Sequence, residues 1–167
     1  MWNVGDQNTP RIYLSRGVNA RDDWETPKYF FDLLNEIFGF TLDAAASHSN
    51  HKCDKYYTIQ EDGILQDWEG ETAFCNPPFN EISMWVKKCY SEGQKKDTTV
   101  VMICPVRSDT DYWHEYIMKA HEVWFVNKRV NFLRDGKEVK GSTFPLCVIV
   151  FKRTLNKTPK IRSFDHK

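Results

Sequence analysis

Two stretches of the chain are almost entirely apolar. Residues 98–104 read TTVVMIC and residues 146–152 read LCVIVFK. Neither alternates with polar residues, and both are rich in β-branched side chains. Such runs predict central strands covered on both faces. Pro105 ends the first. Shorter runs at 40–44 (FTLDA), 56–59, 72–75 (TAFC) and 123–126 predict further strands. A different spacing marks the helices. Phe30, Leu33, Leu34 and Ile37 recur on one helical face, with Thr26 expected as N-cap, Pro27 as first helical residue and Gly39 as the stop. Ile82, Trp85, Val86 and Cys89 repeat that stripe over 82–90, and residues 110–120 form a third amphipathic helix.

Strands that alternate with helices indicate the α/β class: a mostly parallel open sheet with helices on both faces. The connection over 127–145 contains no helical pattern, so an antiparallel C-terminal strand pair is expected at one end. Residues 1–22 read as an irregular polar arm, 23–152 as the single domain, and 153–167 as a basic tail that frays. In open sheets of this kind ligands bind outside the carboxyl ends of the strands. Asp43 and residues 76–79, 105–110 and 127–132 all sit at such ends.

Composition narrows the function classes. The 167 residues suit one domain. Lys plus Arg number 23 and Asp plus Glu number 23, so any grip on a polyanion rests on a local patch. No run approaches the roughly 20 apolar residues that span a bilayer, so a soluble, cytoplasmic protein with no membrane partner is expected. Five cysteines include no Cys-x-x-Cys pair, and Cys75, Cys104 and Cys147 lie in apolar strands, as reduced core residues do. His48, His51 and Cys53 lack a fourth zinc ligand. They read as a surface loop, and no metal is expected.

The sharpest chemical signal is Asn76-Pro77-Pro78-Phe79, directly after an apolar strand. Two prolines fix φ and remove two amide donors, which makes a rigid turn. That turn has a use. A planar amine is a poor nucleophile because its lone pair is delocalised. The Asn76 side-chain oxygen and the Pro77 carbonyl can accept its two N–H hydrogens, and Phe79 can stack on a flat ring. This is catalysis by positioning and polarisation.

The tetrad resembles the (D/N/S)-P-P-(Y/F) signature of amino-group methyltransferases that use S-adenosylmethionine. Trp24-Glu25-Thr26-Pro27, residues 40–46 (FTLDAAA), Asp62-Gly63-Ile64-Leu65, Trp68, the tetrad and Trp85 follow in order. Val130-Asn131-Phe132 and Thr143-Phe144-Pro145 come later. In this order they resemble the compact phage-type DNA N6-adenine methyltransferases, the Dam family of bacteriophages, from about Trp24 to Phe151. The resemblance implies a Rossmann-like methyltransferase fold over 23–152 and S-adenosylmethionine as donor, leaving S-adenosylhomocysteine. It implies adenine in DNA as acceptor and the cytoplasm of a bacterial host as the setting. By resemblance, Asn76, Pro77, Pro78 and Phe79 are catalytic. Trp24, Thr26, Pro27, Asp43, Ala44, Ala45, Asp62, Gly63 and Asn76 surround the cofactor. Asp43 would lie beside its methionine part, the amides after Thr26-Pro27 would take its carboxylate, and Asp62 would meet its adenine.

The chain departs from that pattern in places. Ala44-Ala45-Ala46 replaces the usual glycine-rich loop, Phe79 replaces the commoner Tyr, and only Asp54 is available for the ribose hydroxyls. Only 33 positions separate Asp43 from Asn76, too few for an inserted recognition domain. DNA contacts are therefore expected from loops 105–110 and 127–144: Arg107, Ser108, Lys128, Arg129, Phe132 and Arg134, with Lys137 and Lys140 beyond and Arg11, Arg16 and Arg21 of the arm next in line. The tetrad also serves enzymes that methylate RNA adenine or a protein glutamine amide, and a catalytically dead nucleic-acid-binding relative would keep the fold.

Overall fold

A computed structural model describes residues 24–139 and 144–166. Arg11, Arg16, Arg21, Lys140 and Thr143, with the rest of the expected arm, lie outside the described residues. In chain order the elements are α1 (Lys28–Phe38), β1 (Leu42–Asp43), β2 (Lys55–Tyr56), β3 (Thr72–Cys75), α2 (Ile82–Gly93) and β4 (Thr99–Pro105). There follow α3 (Asp111–Glu115), β5 (Glu122–Asn127), β6 (Leu133–Arg134), β7 (Lys137–Glu138), β8 (Leu146–Lys152) and β9 (Lys160–Asp165). Short 3-10 turns cover Phe79–Glu81 and Ile117–Lys119.

Seven strands form one sheet in the order β2-β1-β3-β4-β8-β5-β9, and β6 pairs with β7 alone. Within the large sheet β2, β1, β3 and β4 run parallel, as do β5 and β9, while β8 is antiparallel to both of its neighbours. The sheet is mostly parallel, as expected. The 127–145 connection joins an antiparallel pair, β5 and β8, as expected; β8 is also antiparallel to β4, so the reversed strand lies in the interior of the sheet. The reason is in the side chains. Residues 146–151 are all buried, and a strand with no wettable face has to lie inside a sheet.

Both faces are covered. Phe30, Phe31 and Leu34 of α1 pack on Phe74, Val101, Ile103 and Val148. Ile82, Trp85, Val86 and Cys89 of α2 pack on the alternate residues Val100, Met102, Ile149 and Phe151, joined by Trp113 and Ile117. Each such side chain contributes about 1.5–3 kcal/mol when fully buried. The stripe on α1 ends one turn early, with Ile37 56% exposed. Gly39 then closes the helix in the left-handed region (φ 66°), its N–H on the Asn35 carbonyl at 2.8 Å. Pro27 is the N-cap, one residue later than Thr26 was expected, and the Thr26 hydroxyl caps nothing. Helix α3 stops at Glu115, and a 3-10 turn then buries Ile117 and Ala120.

The expected basic tail is in part a strand. Strand β9 pairs in parallel with all six residues of β5. Arg162 Nε donates to Glu122 Oε2 at 2.6 Å, and Asn127 Nδ2 donates to Asp165 Oδ1 at 2.6 Å. The Phe164 ring sits 5.8 Å from that of Phe30. The charged residues of this segment hold an edge strand in place, where a wet outer side is tolerated.

Gly93 ends α2 against β8. A Cβ there would stand 2.7 Å from Phe151 Cβ and 2.8 Å from its carbonyl carbon and oxygen. Replacing a helical glycine with alanine ordinarily stabilises by about 1 kcal/mol. Here overpacking wins, and Gly93→Ala is expected to destabilise the domain by about 1–3 kcal/mol, read as a lower urea midpoint.

Candidate active site

The carboxyl ends of β1 and β3 open onto a cleft of about 430 Å³. Its floor is the chain leaving β1. Ala44 N–H bonds the Phe74 carbonyl, Ala46 N–H bonds the Tyr57 carbonyl and Tyr57 N–H bonds the Asp43 carbonyl, all within 2.9–3.0 Å. The alanine segment thus prolongs the sheet pairing, and none of its residues takes positive φ. This explains the absent glycines: the exit bends without any left-handed residue. The close approach falls to Gly63 instead, where a Cβ would meet the Ala44 carbonyl oxygen at 2.2 Å.

The Asn76-Pro77-Pro78 turn leaves β3 and forms the facing wall. Asn76 Nδ2 donates to the Trp24 carbonyl at 2.7 Å, 52 positions away in the chain. Anchoring the amide nitrogen turns the oxygen the other way. Asn76 Oδ1 is buried and has no hydrogen-bond partner among the described residues. The Pro78 carbonyl is taken by the Glu81 amide, which closes the 3-10 turn. Phe79 lies half-buried, edge-on to Phe144 at 5.4 Å.

Trp24 is the hub behind this wall. Its ring meets Phe132 at 6.0 Å and Phe144 at 6.3 Å, both edge-on, and carries the Arg134 guanidinium at 4.9 Å. Phe132 was expected to face DNA. It is fully buried in the α1-side core, so its role is to support Trp24. An aromatic side chain in a basic rim loop reads as a stacking surface in sequence, and burial overrides that reading.

Of the residues expected at the cofactor, Trp24, Ala44, Ala45, Asp62, Gly63 and Asn76 line the cleft. Thr26 and Asp43 do not. They border an adjoining recess of about 30 Å³ with Lys52 and Phe74, and this recess shares Trp24, Glu25, Ala45, Asn50 and Asn76 with the cleft. Thr26 Oγ1 is buried there without a partner among the described residues. Asp43 is 3% exposed, and its carboxylate accepts the Lys52 amide at 3.0 Å and the Ala45 amide at 3.5 Å. Burial pushes its pKa up, and the two amides only partly offset that. Pro27 lines neither space, and Asp54 is exposed in the loop before β2. The cleft also takes in Glu25, Asn50, Tyr57, Glu81, Trp85 and Asp135, which sequence reasoning left out. Asp135 had a readable signal: Asp-Gly marks a tight hairpin turn.

The basic candidates occupy the same rim. Arg107, Ser108, Lys128 and Arg129 are exposed in the turns after β4 and β5, and Arg134 is half-buried on Trp24. Val106 N–H bonds the Pro145 carbonyl at 2.9 Å, which ties the first of these turns to the start of β8. The His48–Cys53 loop is held by other means: His51 stacks on Tyr56 at 4.1 Å and bonds the Cys53 carbonyl. No metal-binding group of three His, Cys, Asp or Glu exists among the described residues.

Comparison with known proteins joins these features to a lineage. The family model for DNA N-6-adenine-methyltransferase (Dam) matches residues 15–167. This chain belongs to that family. A DNA N-6-adenine-methyltransferase of Haemophilus phage HP1 (strain HP1c1) is 26% identical over 137 residues, covering 79% of each chain. One of Escherichia phage T1 is 31% identical over 134 residues, covering 76% of this chain and 56% of that protein.

In this member of the Dam family the Asp62–Trp68 wall is held from α2. Trp68 Nε1 donates to the Gly63 carbonyl at 2.9 Å, and Trp68 N–H donates to Glu92 Oε2 at 3.0 Å. Lys88 bonds both the Gln66 carbonyl and Glu92, and Lys95 reaches Glu92 at 2.8 Å. Burial alone would raise the Glu92 pKa; hydrogen bonds from Lys88, Lys95 and Trp68 outweigh it and hold the carboxyl below its ordinary value. A lowered folded-state pKa adds stability above the unfolded value of about 4.5 and loses it as pH falls through the folded value. Urea midpoints are therefore expected to drop below about pH 4.5, and Glu92→Gln to flatten that drop while lowering the neutral-pH midpoint.

Proposed function

We propose that this chain transfers the methyl group of S-adenosylmethionine to the N6 amine of adenine in DNA, on a Rossmann-like methyltransferase fold. The observation that carries the reading is the buried Asn76 Oδ1, which has no hydrogen-bond partner among the described residues, on a residue that lines the cleft. A buried acceptor left open costs about 1–3 kcal/mol. An incoming N–H donor removes that cost. The parallel strands with one reversed interior strand support the fold, and the cleft outside their carboxyl ends supports the cofactor's place.

The residues suit the group. Gly63 keeps the Ala44 wall free of a Cβ, and the small side chains of Ala44 and Ala45 leave the floor open. When bound, the cofactor supplies an electrophilic methyl on a sulfonium. The protein supplies everything else by position. Asn76 Oδ1 and the Pro77 carbonyl accept the two N–H hydrogens of the target amine. This draws the lone pair out of the ring and aims it along the line of attack. Pro77 and Pro78 hold that geometry because their φ angles cannot relax. Phe79 stacks on the target ring once the base has left the helix. Trp24, Ala44, Ala45, Asp62 and Gly63 hold the cofactor. Asp43 acts from behind, by holding the Ala45 and Lys52 amides, and Thr26 and Pro27 lead from Trp24 into α1.

Arg107, Ser108, Lys128, Arg129 and Arg134 are the proposed DNA contacts, because they share the rim with the catalytic turn. The proposed setting is the cytoplasm of a bacterial cell. No helix among the described residues is long and apolar enough to cross a membrane.

Expression in a strain lacking adenine methylation, followed by mapping of modified bases, tests the reading; unmodified adenine overturns it. Asn76→Ala is expected to lower kcat by about 100-fold or more, because its acceptor acts in the transition state, and to leave cofactor affinity within a few-fold. Arg107→Ala and Arg129→Ala are expected to weaken DNA binding without altering cofactor affinity. Each lost phosphate contact lowers the salt slope of binding by about 0.9, and loss of a base contact relaxes one position of the site.

A further inference from the structure

The cleft is lined by four carboxylates, Glu25, Asp62, Glu81 and Asp135, and by no lysine, arginine or histidine among the described residues. The chain as a whole has a formal charge of zero, so this sign is local. Glu25, Glu81 and Asp135 make no side-chain hydrogen bond or ion pair with another described residue. Two of the acids reach the cleft through one piece of backbone. Glu25 and Leu133 exchange N–H···O bonds of 2.9 Å in both directions. The Asp135-Gly136 turn, with φ 50° and 70°, then places Asp135 on the cleft. Arg134, beside Asp135 in sequence, is not among the lining residues: its guanidinium lies over the Trp24 ring.

We infer that this acidic lining, through Glu25 and Asp135, makes the cleft prefer the charged methyl donor over its neutral product. The inference rests on the proposed function and extends it to cofactor exchange. In the transfer the S–CH₃ bond breaks with its electron pair kept by sulfur, and the N6–CH₃ bond forms. N6 then gives one proton to solvent. The donor carries a sulfonium, an ammonium and a carboxylate, a net charge of plus one. The product keeps the ammonium and the carboxylate and is neutral overall. Adenosine, ribose and amino-acid contacts are common to both, so the ratio of their affinities isolates the sulfonium charge. A negative cleft lowers the free energy of the donor complex and not that of the product complex. Turnover thus removes the charge that favoured binding, and fresh donor displaces product.

The test is calorimetric titration of the full chain with three ligands: S-adenosylmethionine, S-adenosylhomocysteine and sinefungin, whose amine keeps a positive charge near the sulfonium position. Asp135→Asn and Glu25→Gln preserve shape, and Asn tolerates the positive φ at position 135. Each is expected to weaken both charged ligands by about three- to five-fold and the neutral product by less than about two-fold. Raising salt from about 50 mM to about 500 mM should narrow the wild-type preference for the donor. Equal losses for charged and neutral ligands, or no loss for any, would overturn the inference and leave the cofactor assignment standing. Failure of the wild-type chain to bind any of the three would overturn that assignment, and the inference with it.

Discussion

Strand β4 has no face that can meet water, and the rest of the architecture follows from that constraint. Val100, Met102 and Cys104 point one way and Val101 and Ile103 the other, all of them fully buried. A strand of this kind needs a neighbour on each edge and a layer on each side. Strands β3 and β8 supply the edges. Helix α1 supplies one layer, and α2 with α3 supplies the other. Once both faces are closed, the carboxyl rim is the open place where loops from several strands converge. The cleft is there because the sides of the sheet are already occupied.

Within that rim the bond from Asn76 Nδ2 to the Trp24 carbonyl sets the chemistry. It joins the segment before α1 to the turn after β3. It ties down the nitrogen end of the Asn76 amide and leaves the oxygen end without a partner among the described residues. The same Trp24 packs on Phe132 and Phe144 and carries Arg134. Arg134, a proposed DNA contact, and Asn76, the proposed acceptor, therefore share one residue as support, Arg134 through its ring and Asn76 through its carbonyl. Trp24 acts on both as a positioning residue.

Much of this was legible in the residues. The apolar runs at 98–104 and 146–152, the helical stripes and the Asn-Pro-Pro turn rest on local patterns that survive tertiary packing. The expected sites of Ala44, Ala45, Asp62, Gly63 and Asn76 fall on one cleft for that reason. What escaped depends on partners far away in sequence. Lys160–Asp165 carries too little apolar alternation to read as a strand, and β5 recruits it by edge pairing. The burial of Phe132 depends on Trp24, more than a hundred positions earlier. Thr26 and Asp43 carry polar side chains at the right rim and border a recess that adjoins the cleft. Position along a strand is readable in a sequence; the direction in which a loop residue turns is not.

The interior place of β8 has a consequence for how the chain folds as it is made. Strand β5 (Glu122–Asn127) leaves the ribosome before either of its partners exists. Its neighbours in the sheet are β8 (Leu146–Lys152) and β9 (Lys160–Asp165), both downstream. Strands β1, β3 and β4 can pair in order of synthesis, whereas the half beyond β4 has to wait for almost the whole chain. Non-local pairing of this sort is slow, because loop closure precedes the contacts that reward it. During the wait the apolar edge of β4 is unpaired, the kind of exposed strand that chaperones and neighbouring chains compete to cover. A ribosome stalled short of residue 146 would hold a half-sheet with its stickiest strand on the outside.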